Sequence, residues 1–511
     1  MEAEMINYGW LSLIPAIVAV VLAFATRNVV LSLAISLFTG ILIQVGGNPW
    51  VGLQMLFSDY LFVDMASGNN PQTIVMMIMV GGFVALIEKS GGARAFAQMV
   101  SSKLNSKCKA QVGAWVGGLA IFFSDSGNSL ILGPIFRPIF DRLKVSRAKL
   151  SYILDSTSSP VCILIPITGW GVYITSIIAT EYENLGIQGS DMGTFIQAIP
   201  YQFYAILALV LIPLVAFGKK DFGFMARAEE QARLGLPQQT TGEEEIVVDE
   251  SKKVSYWNML LPLIVMFAVI LIMFFGWGFP FKNIPGSKIR IALTSGYFLA
   301  SITVIIMVVA QKLMTFKEAF DIFIGGMQKM TSVLVVIVVA WGVGSVCSDL
   351  GTSQFVVDST IDILTPHVVP ALLFLIGTVI SFATGTSWGT MAILMPLGIN
   401  MAYSFEISIP VTIAAVLSGS LFGDHCSPIS DTTVMSAMAA GCDLVEHTKT
   451  QLPYAGIAAL ASFVSYLILG FTNLPAAVIL AVAVVILAAF YLVCCKIWGV
   501  KSEDGASTAK K

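Results

Sequence analysis

The strongest constraint on this chain is a polar interruption that occurs twice inside otherwise apolar sequence. The first copy is Ser124-Asp125-Ser126-Gly127-Asn128-Ser129, followed by an apolar run to Pro134. The second is Thr384-Gly385-Thr386-Ser387-Trp388-Gly389-Thr390, followed by an apolar run to Pro396. Gly127 and Pro134, like Gly389 and Pro396, stand seven residues apart. Each copy is followed by a further break, Asp155-Ser156-Thr157-Ser158-Ser159-Pro160 in one case and Asp424-His425-Cys426-Ser427-Pro428 in the other. Paired helix interruptions rich in hydroxyls and carboxylates point to a binding site built from discontinuous membrane helices.

The setting of these breaks fixes the class. Mean hydropathy is +0.84, and 12% charged residues is half the roughly 25% of a soluble domain. Apolar stretches long enough to cross hydrocarbon recur along the chain, so the expected fold is an all-α polytopic membrane protein. A net charge of −3 points to no nucleic-acid partner. Cys108, Cys162, Cys347, Cys426, Cys442, Cys494 and Cys495 show no paired metal spacing and read as small buried hydrophobes without disulfides. No G-x-x-x-x-G-K-[ST] phosphate loop occurs, so nucleotide drive is not expected, nor any other cofactor. Trp10 to Ala25 follows acidic residues and lacks a basic leader, which predicts a retained span.

Candidate spans are 10–26, 29–45, 72–88, 198–217, 256–280, 290–310, 330–347, 450–470 and 475–495. Segments 150–180 and 408–440 are each broken by a polar motif, and 110–136 and 365–405 carry the Ser/Gly/Thr interruptions. Residues 218–255, rich in Glu, Lys, Gln and Thr, read as a solvated linker between a first repeat, 1–217, and a second, 256–495, with a tail at 496–511.

Charge placement sets the topology. Lys89, Arg94, Lys103, Lys107 and Lys109 precede segment 110–136, and Arg137, Arg142, Lys144, Arg147 and Lys149 follow it, which places both flanks in the cytoplasm. A segment with both ends on one side is a re-entrant hairpin with Ser124–Ser129 at its tip. From Met330 to Thr448 there is no Lys or Arg, so the second hairpin enters from outside and the two halves form inverted repeats. With each broken segment counted as one crossing, about eleven crossings run from an external N-terminus to a cytoplasmic C-terminus. Lys282, Lys288 and Arg290 fall outside in this scheme and oppose it.

Unwound backbone at mid-membrane is tolerated only where protein or a water-filled cavity satisfies it. Freed carbonyls, hydroxyls and a carboxylate offer the all-oxygen surroundings that hard cations prefer. An aspartate at the bilayer centre costs roughly 2.5–3.5 kcal/mol, so Asp125, Asp155, Asp424 and Asp431 are candidates for ion or proton binding. A carboxylate that holds a proton or a cation, but not both, gives exchange by competition. Capping of the resumed helices is the plain alternative for each Asp. Ser124, Asn128, Ser156, Thr157, Thr386, Ser387, Thr390 and Ser427 are candidate ligands that can equally bond their own helix. His425 is a candidate proton shuttle. Asp443, Glu446, His447 and Lys449 read as a cytoplasmic charge cluster, Glu88 as an interfacial charge and Trp388 as packing.

The run from Gly419 to Thr433, Gly-Ser-Leu-Phe-Gly-Asp-His-Cys-Ser-Pro-Ile-Ser-Asp-Thr-Thr, continues through Asp443–His447 and Thr450–Tyr454. It resembles the signature of the NhaC-type sodium/proton antiporter family, and the two Ser/Gly/Thr motifs resemble that family's hairpin tips. The resemblance implies a homodimer in a prokaryotic cell membrane, with sodium and proton as the exchanged species. It places cation contacts on Asp424, Ser427 and Asp431, and on Asp155 by internal repetition, with sodium at Asp155, Asp424 and Ser427. Coupled transport of a small carboxylate or amino acid is the competing expectation, since Ser/Thr/Gly tips also hold carboxylates. An intramembrane aspartyl protease lacks its motifs here.

Overall fold

The computed structural model describes residues 8–499 except 27, 69, 102–103, 237–253, 279–284, 353–354, 356–364 and 473. Among the described residues eight helices are long and apolar enough to cross a membrane, or up to ten when two bent pairs each count as one span. Single spans include Asn70–Lys89, Trp257–Gly276, Gly286–Ala310, Leu444–Phe471 and Ala476–Trp498, close to their sequence-derived bounds. The bent pairs are Val29–Gln44 with Pro49–Ala66, at 117°, and Asp191–Tyr201 with Phe203–Gly218, at 45°.

The first interruption forms a helical hairpin. Its arms are Lys107–Ala120 and Asp125–Arg142. Lys107 Nζ donates to the Lys144 carbonyl at 2.7 Å and Arg142 to the Leu104 carbonyl at 3.3 Å, so the outer ends of the two arms lie together. The arms, about 21 and 27 Å long at 1.5 Å per residue, fall short of ~30 Å of hydrocarbon. The second interruption turns Val369–Thr384 back into Ser387–Ser404. Gly385 closes that tip in the left-handed region (φ +68°), which a side chain would oppose.

Both further breaks are real. The first segment runs Arg147–Ser156, Ser159–Cys162 and, after irregular backbone, Gly169–Asn184. The second runs Ile409–Cys426 and Asp431–Ala440, separated by extended residues at Ser427 and Ser430. Pro160 and Pro428, lacking an N–H, sit at these gaps, as ring geometry requires. Asp155 and Asp424 thus lie in the last turns before their gaps, while Asp431 opens the resumed helix.

The linker departs from its solvated expectation. Gly223–Leu234 is a helix whose Met225, Ala226, Ala228 and Ala232 are buried. Phe222 stacks on Tyr454 at 4.3 Å between ring centroids, which pins the linker to helix Leu444–Phe471. The rest of it, 237–253, lies outside the described residues, as does 500–511 of the tail. Charges that composition could only count prove to be paired. Lys149, 1% exposed, is ion-paired to Asp221, which also accepts from the Tyr454 hydroxyl at 2.6 Å. Arg290, which opposed the charge rule, is buried in an ion pair with Asp191, so its charge is neutralised within the protein.

Lys149→Met strands Asp221 and is expected to lower unfolding free energy in detergent by about 3 kcal/mol, while Lys149→Met/Asp221→Asn recovers most of the loss, read by chemical denaturation. Glu229 on the linker helix accepts from the Ser146 N–H and hydroxyl at 2.8 and 2.6 Å. Burial, then the Asp221 charge, push its carboxyl above the usual range, against the pull of Lys149 and Ser146. A raised folded-state value gives stability that is present at low pH and lost as pH climbs through it. Melting temperature should therefore fall over that rise in wild type, and Glu229→Gln should flatten the slope.

Candidate functional site

The two breaks meet. Asp424, 3% exposed, accepts from Ser159 of the first break at 2.9 Å and from Ser430 of the second at 2.8 Å. The next residue repeats the crossing: His425 Nε2 pairs with Ser156 Oγ at 2.8 Å and Nδ1 with the Tyr204 hydroxyl at 2.8 Å. The freed Asp424 carbonyl accepts from the Thr432 and Thr433 hydroxyls at 3.3 and 3.1 Å, which closes the resumed helix under it. No ion pair to Asp424 occurs among the described residues. Asp431 and Asp125 supply like charges that act on it.

Asp155 has different partners. Its Oδ2 accepts from Gln451 at 2.8 Å and faces His447 Nε2 at 3.1 Å, while its Oδ1 is buried with no hydrogen bond. Gln451 also donates to the His425 carbonyl, so one amide joins the two buried networks. His447 is fully buried, which corrects its reading as part of a cytoplasmic charge cluster. His447 and Gln451 stand four residues apart on one helix, a spacing that puts both on the same face.

Each hairpin tip is tied to the break of its own half. Asn128 donates to the carbonyls of Gly118 on the first arm and Ile121 just past its end, at 2.8 and 3.3 Å, and of Thr157 at the break, at 2.9 Å. Ser158 donates to the Asp125 carbonyl at 2.7 Å. In the second half Ser427 donates to the Phe382 carbonyl at 2.8 Å. Ser129 and Ser436 hydroxyls, 2.8 Å apart, join the first hairpin to the second broken segment.

The remaining candidates are held as follows. Ser124 caps the second arm by accepting from Gly127 N–H and donates to Glu88, which therefore reaches the tip rather than the interface. Asp125 accepts from Trp170 Nε1 at 3.1 Å and from Ser126 N–H at 2.7 Å. Asp431 accepts from its neighbour Thr432 N–H at 2.9 Å and remains exposed. Thr157 donates to the Ile153 carbonyl, Thr390 to Thr386 and Ser387 to Ser420, all backbone bonds away from the carboxylates. Trp388 packs between Trp170 and Tyr173, at 4.8 Å from each ring.

Of the sodium set written from sequence, Asp155 meets Gln451 and His447, Asp424 meets Ser159 and Ser430, and Ser427 meets the Phe382 carbonyl. No three His, Cys, Asp or Glu side chains converge as a metal site among the described residues. Sequence reasoning passed over Ser159, Ser430, Gln451 and Tyr204. Ser159 and Ser430 border the breaks, and Gln451 lies in the signature run, so a local signal existed for these three.

A hydroxyl donates to a carboxylate in one rotation and offers a lone pair to a cation in another. Hydroxyl-held Asp424 suits either occupant. Broken helices, tip-to-break ties and buried carboxylates without cations define a membrane transport protein rather than an enzyme.

Comparison with known proteins bears this out. The chain belongs to the Na+/H+ antiporter family, whose model matches residues 161–471. An uncharacterised Haemophilus influenzae protein is 30% identical over 489 residues, 92% of this chain and 93% of that one. The arginine/ornithine antiporter ArcD of Halobacterium salinarum is 34% identical over 122 residues, 24% of this chain and 25% of its own. The YdaH transporter crystal structure from Alcanivorax borkumensis superposes with TM-score 0.61 at 16% identity, covering 82% of this chain and 89% of that chain, so the fold is shared.

Asn128→Ala removes the donor to the Ile121 and Thr157 carbonyls, while the Gly118 carbonyl keeps the Ile121 N–H. The substitution should cost about 1–3 kcal/mol in detergent unfolding, whereas back-bonded Thr390→Val should stay within about 0.5 kcal/mol.

Proposed function

We propose that this protein exchanges sodium for protons across a prokaryotic cell membrane by competition at Asp424, with Asp155 as a second proton- or cation-holding carboxylate. Asp125 and Asp431 shape the field, and Ser159 and Ser430 turn their hydroxyls between carboxylate and cation. In this reading the halves are inverted repeats in about eleven crossings, the linker and C-terminus face the cytoplasm, and two copies assemble as a dimer.

The observation that carries the proposal is the pairing of Asp424 with two hydroxyls and no cation. A buried carboxylate so placed is costly unless a proton or an ion joins it. Competition for one seat couples the two flows without a nucleotide. Orphaned Asp155 Oδ1 is the second seat, and His447 and Gln451 hold its other oxygen. The His425 ring lies between the Ser156 and Tyr204 hydroxyls, and its carbonyl meets Gln451, so it stands next to both networks as a candidate proton shuttle.

The second reading is exchange of an amino acid or small carboxylate, favoured by the local match to an arginine/ornithine antiporter. An amine would meet Asp424.

Both readings are separated by flux in liposomes carrying the purified protein and a trapped pH dye. A sodium gradient alone should move protons in wild type, and Asp424→Asn, with unchanged elution and melting, should fall to the level of empty liposomes. Normal flux in Asp424→Asn would falsify the assignment. Sodium or proton movement only when amino acid is added would move it to the second reading.

A further inference from the structure

A second group of carboxylates lies at the far end of helix Gly169–Asn184 from Trp170. Trp170 touches Asp125, and Glu181 stands eleven residues on, about 16 Å along the helix at 1.5 Å per residue. Glu181 is 1% exposed and accepts from Asn400 Nδ2 at 2.8 Å. Asp64 is 8% exposed and accepts from Ser345 Oγ at 3.0 Å through Oδ1. Its Oδ2 is buried and without a hydrogen bond. The Glu181 carboxylate lies beside Gly344, where an added methyl group would displace it. Since Ser345 follows Gly344, the two acids face one stretch of helix Thr331–Asp349.

The charges around them are all acidic. Asp349 and Glu183 act on Asp64, and Asp64 acts on Glu181. Asp349 and Glu183 are exposed, and they accept from Tyr60 and Ser67 at 2.7 and 3.0 Å. Two buried like charges with an orphaned oxygen are unfavourable until a positive charge joins them.

We propose that Asp64 and Glu181, with the Ser345 hydroxyl and the Asn400 amide beside them, form a second binding site for a monovalent hard cation, separate from Asp424. Oxygen ligands select a hard ion. No third carboxylate converges with the pair, which disfavours a divalent ion that needs more charge. The exposed acids Asp349 and Glu183 would favour cations over anions near the site. The proposal does not depend on Asp424 carrying the exchanged ion.

Equilibrium binding of radioactive sodium to the purified full-length protein tests it, in choline buffer at fixed pH. Asp155→Asn/Asp424→Asn, which removes both transport carboxylates, should retain about one sodium per chain, and adding Asp64→Asn and Glu181→Gln should reduce binding to background. Asp64→Asn preserves shape and the Ser345 contact, so elution and sodium-free melting are expected to match wild type. Asp64→Asn alone should weaken this retained binding at least tenfold. Loss of all binding in Asp155→Asn/Asp424→Asn, or unchanged binding when Asp64→Asn and Glu181→Gln are added to it, would overturn the second site. Flux by the Asp424 variants is scored separately, so failure of either reading leaves the other standing.

Discussion

The hydrogen bonds that join Asp424 to Ser159 and Ser430 are the contacts on which the rest of the molecule turns. They link two chain breaks that are each unfavourable alone in hydrocarbon, since freed N–H and C=O groups there find no water. Meeting in the centre, the breaks supply each other's partners. The Asp424 carbonyl, freed where its helix ends, is taken by threonine hydroxyls of the helix that follows. The Thr157 carbonyl is taken by Asn128 from the hairpin tip. Unwound backbone is thus made affordable by side chains from elsewhere in the same site.

Hydroxyls and amides, rather than lysine or arginine, surround these carboxylates. A fixed cation would form a strong pair and leave no place for an exchangeable one. The cations that do occur in buried positions, Lys149 and Arg290, are already paired with Asp221 and Asp191. Segregation of this kind leaves Asp155, Asp424, Asp64 and Glu181 without a lysine or arginine partner among the described residues. A buried carboxylate so placed gains stability from a proton or a cation.

The second half also shows why a local motif is a weak guide to a ligand. Thr386, Ser387 and Thr390 look like a cation cradle in sequence, yet the Ser387 and Thr390 hydroxyls bond backbone carbonyls. Within a helix the i−4 carbonyl is always at hand for a threonine. The structural partner of the hairpin is instead the break beside it, through Ser427 and Phe382. His447, by contrast, looked like a member of a surface charge group because its neighbours in sequence are charged. Burial of one helical face carries it to Asp155 while Asp443 turns to cap the helix N-terminus.

Membrane residence, two interrupted halves, the existence of the hairpins and the positions of the further breaks were legible in the residues themselves. Hydropathy, proline, glycine and charge act over a few neighbours, so the chain carries them openly. The first tip, however, turns at Ile121–Ser124, and Asp125–Ser129, expected at the tip, instead open the second arm because the Ser124 side chain caps it. Which hydroxyl meets which carboxylate was decided by tertiary structure alone. Ser159 and Asp424 are 265 residues apart, and His447 and Asp155 are 292. Such pairings depend on how whole helices cross, and no local pattern encodes a crossing. The acidic pair Asp64 and Glu181 belongs to the same category: each is an ordinary acid in sequence, and only packing against Gly344 and Ser345 makes them neighbours.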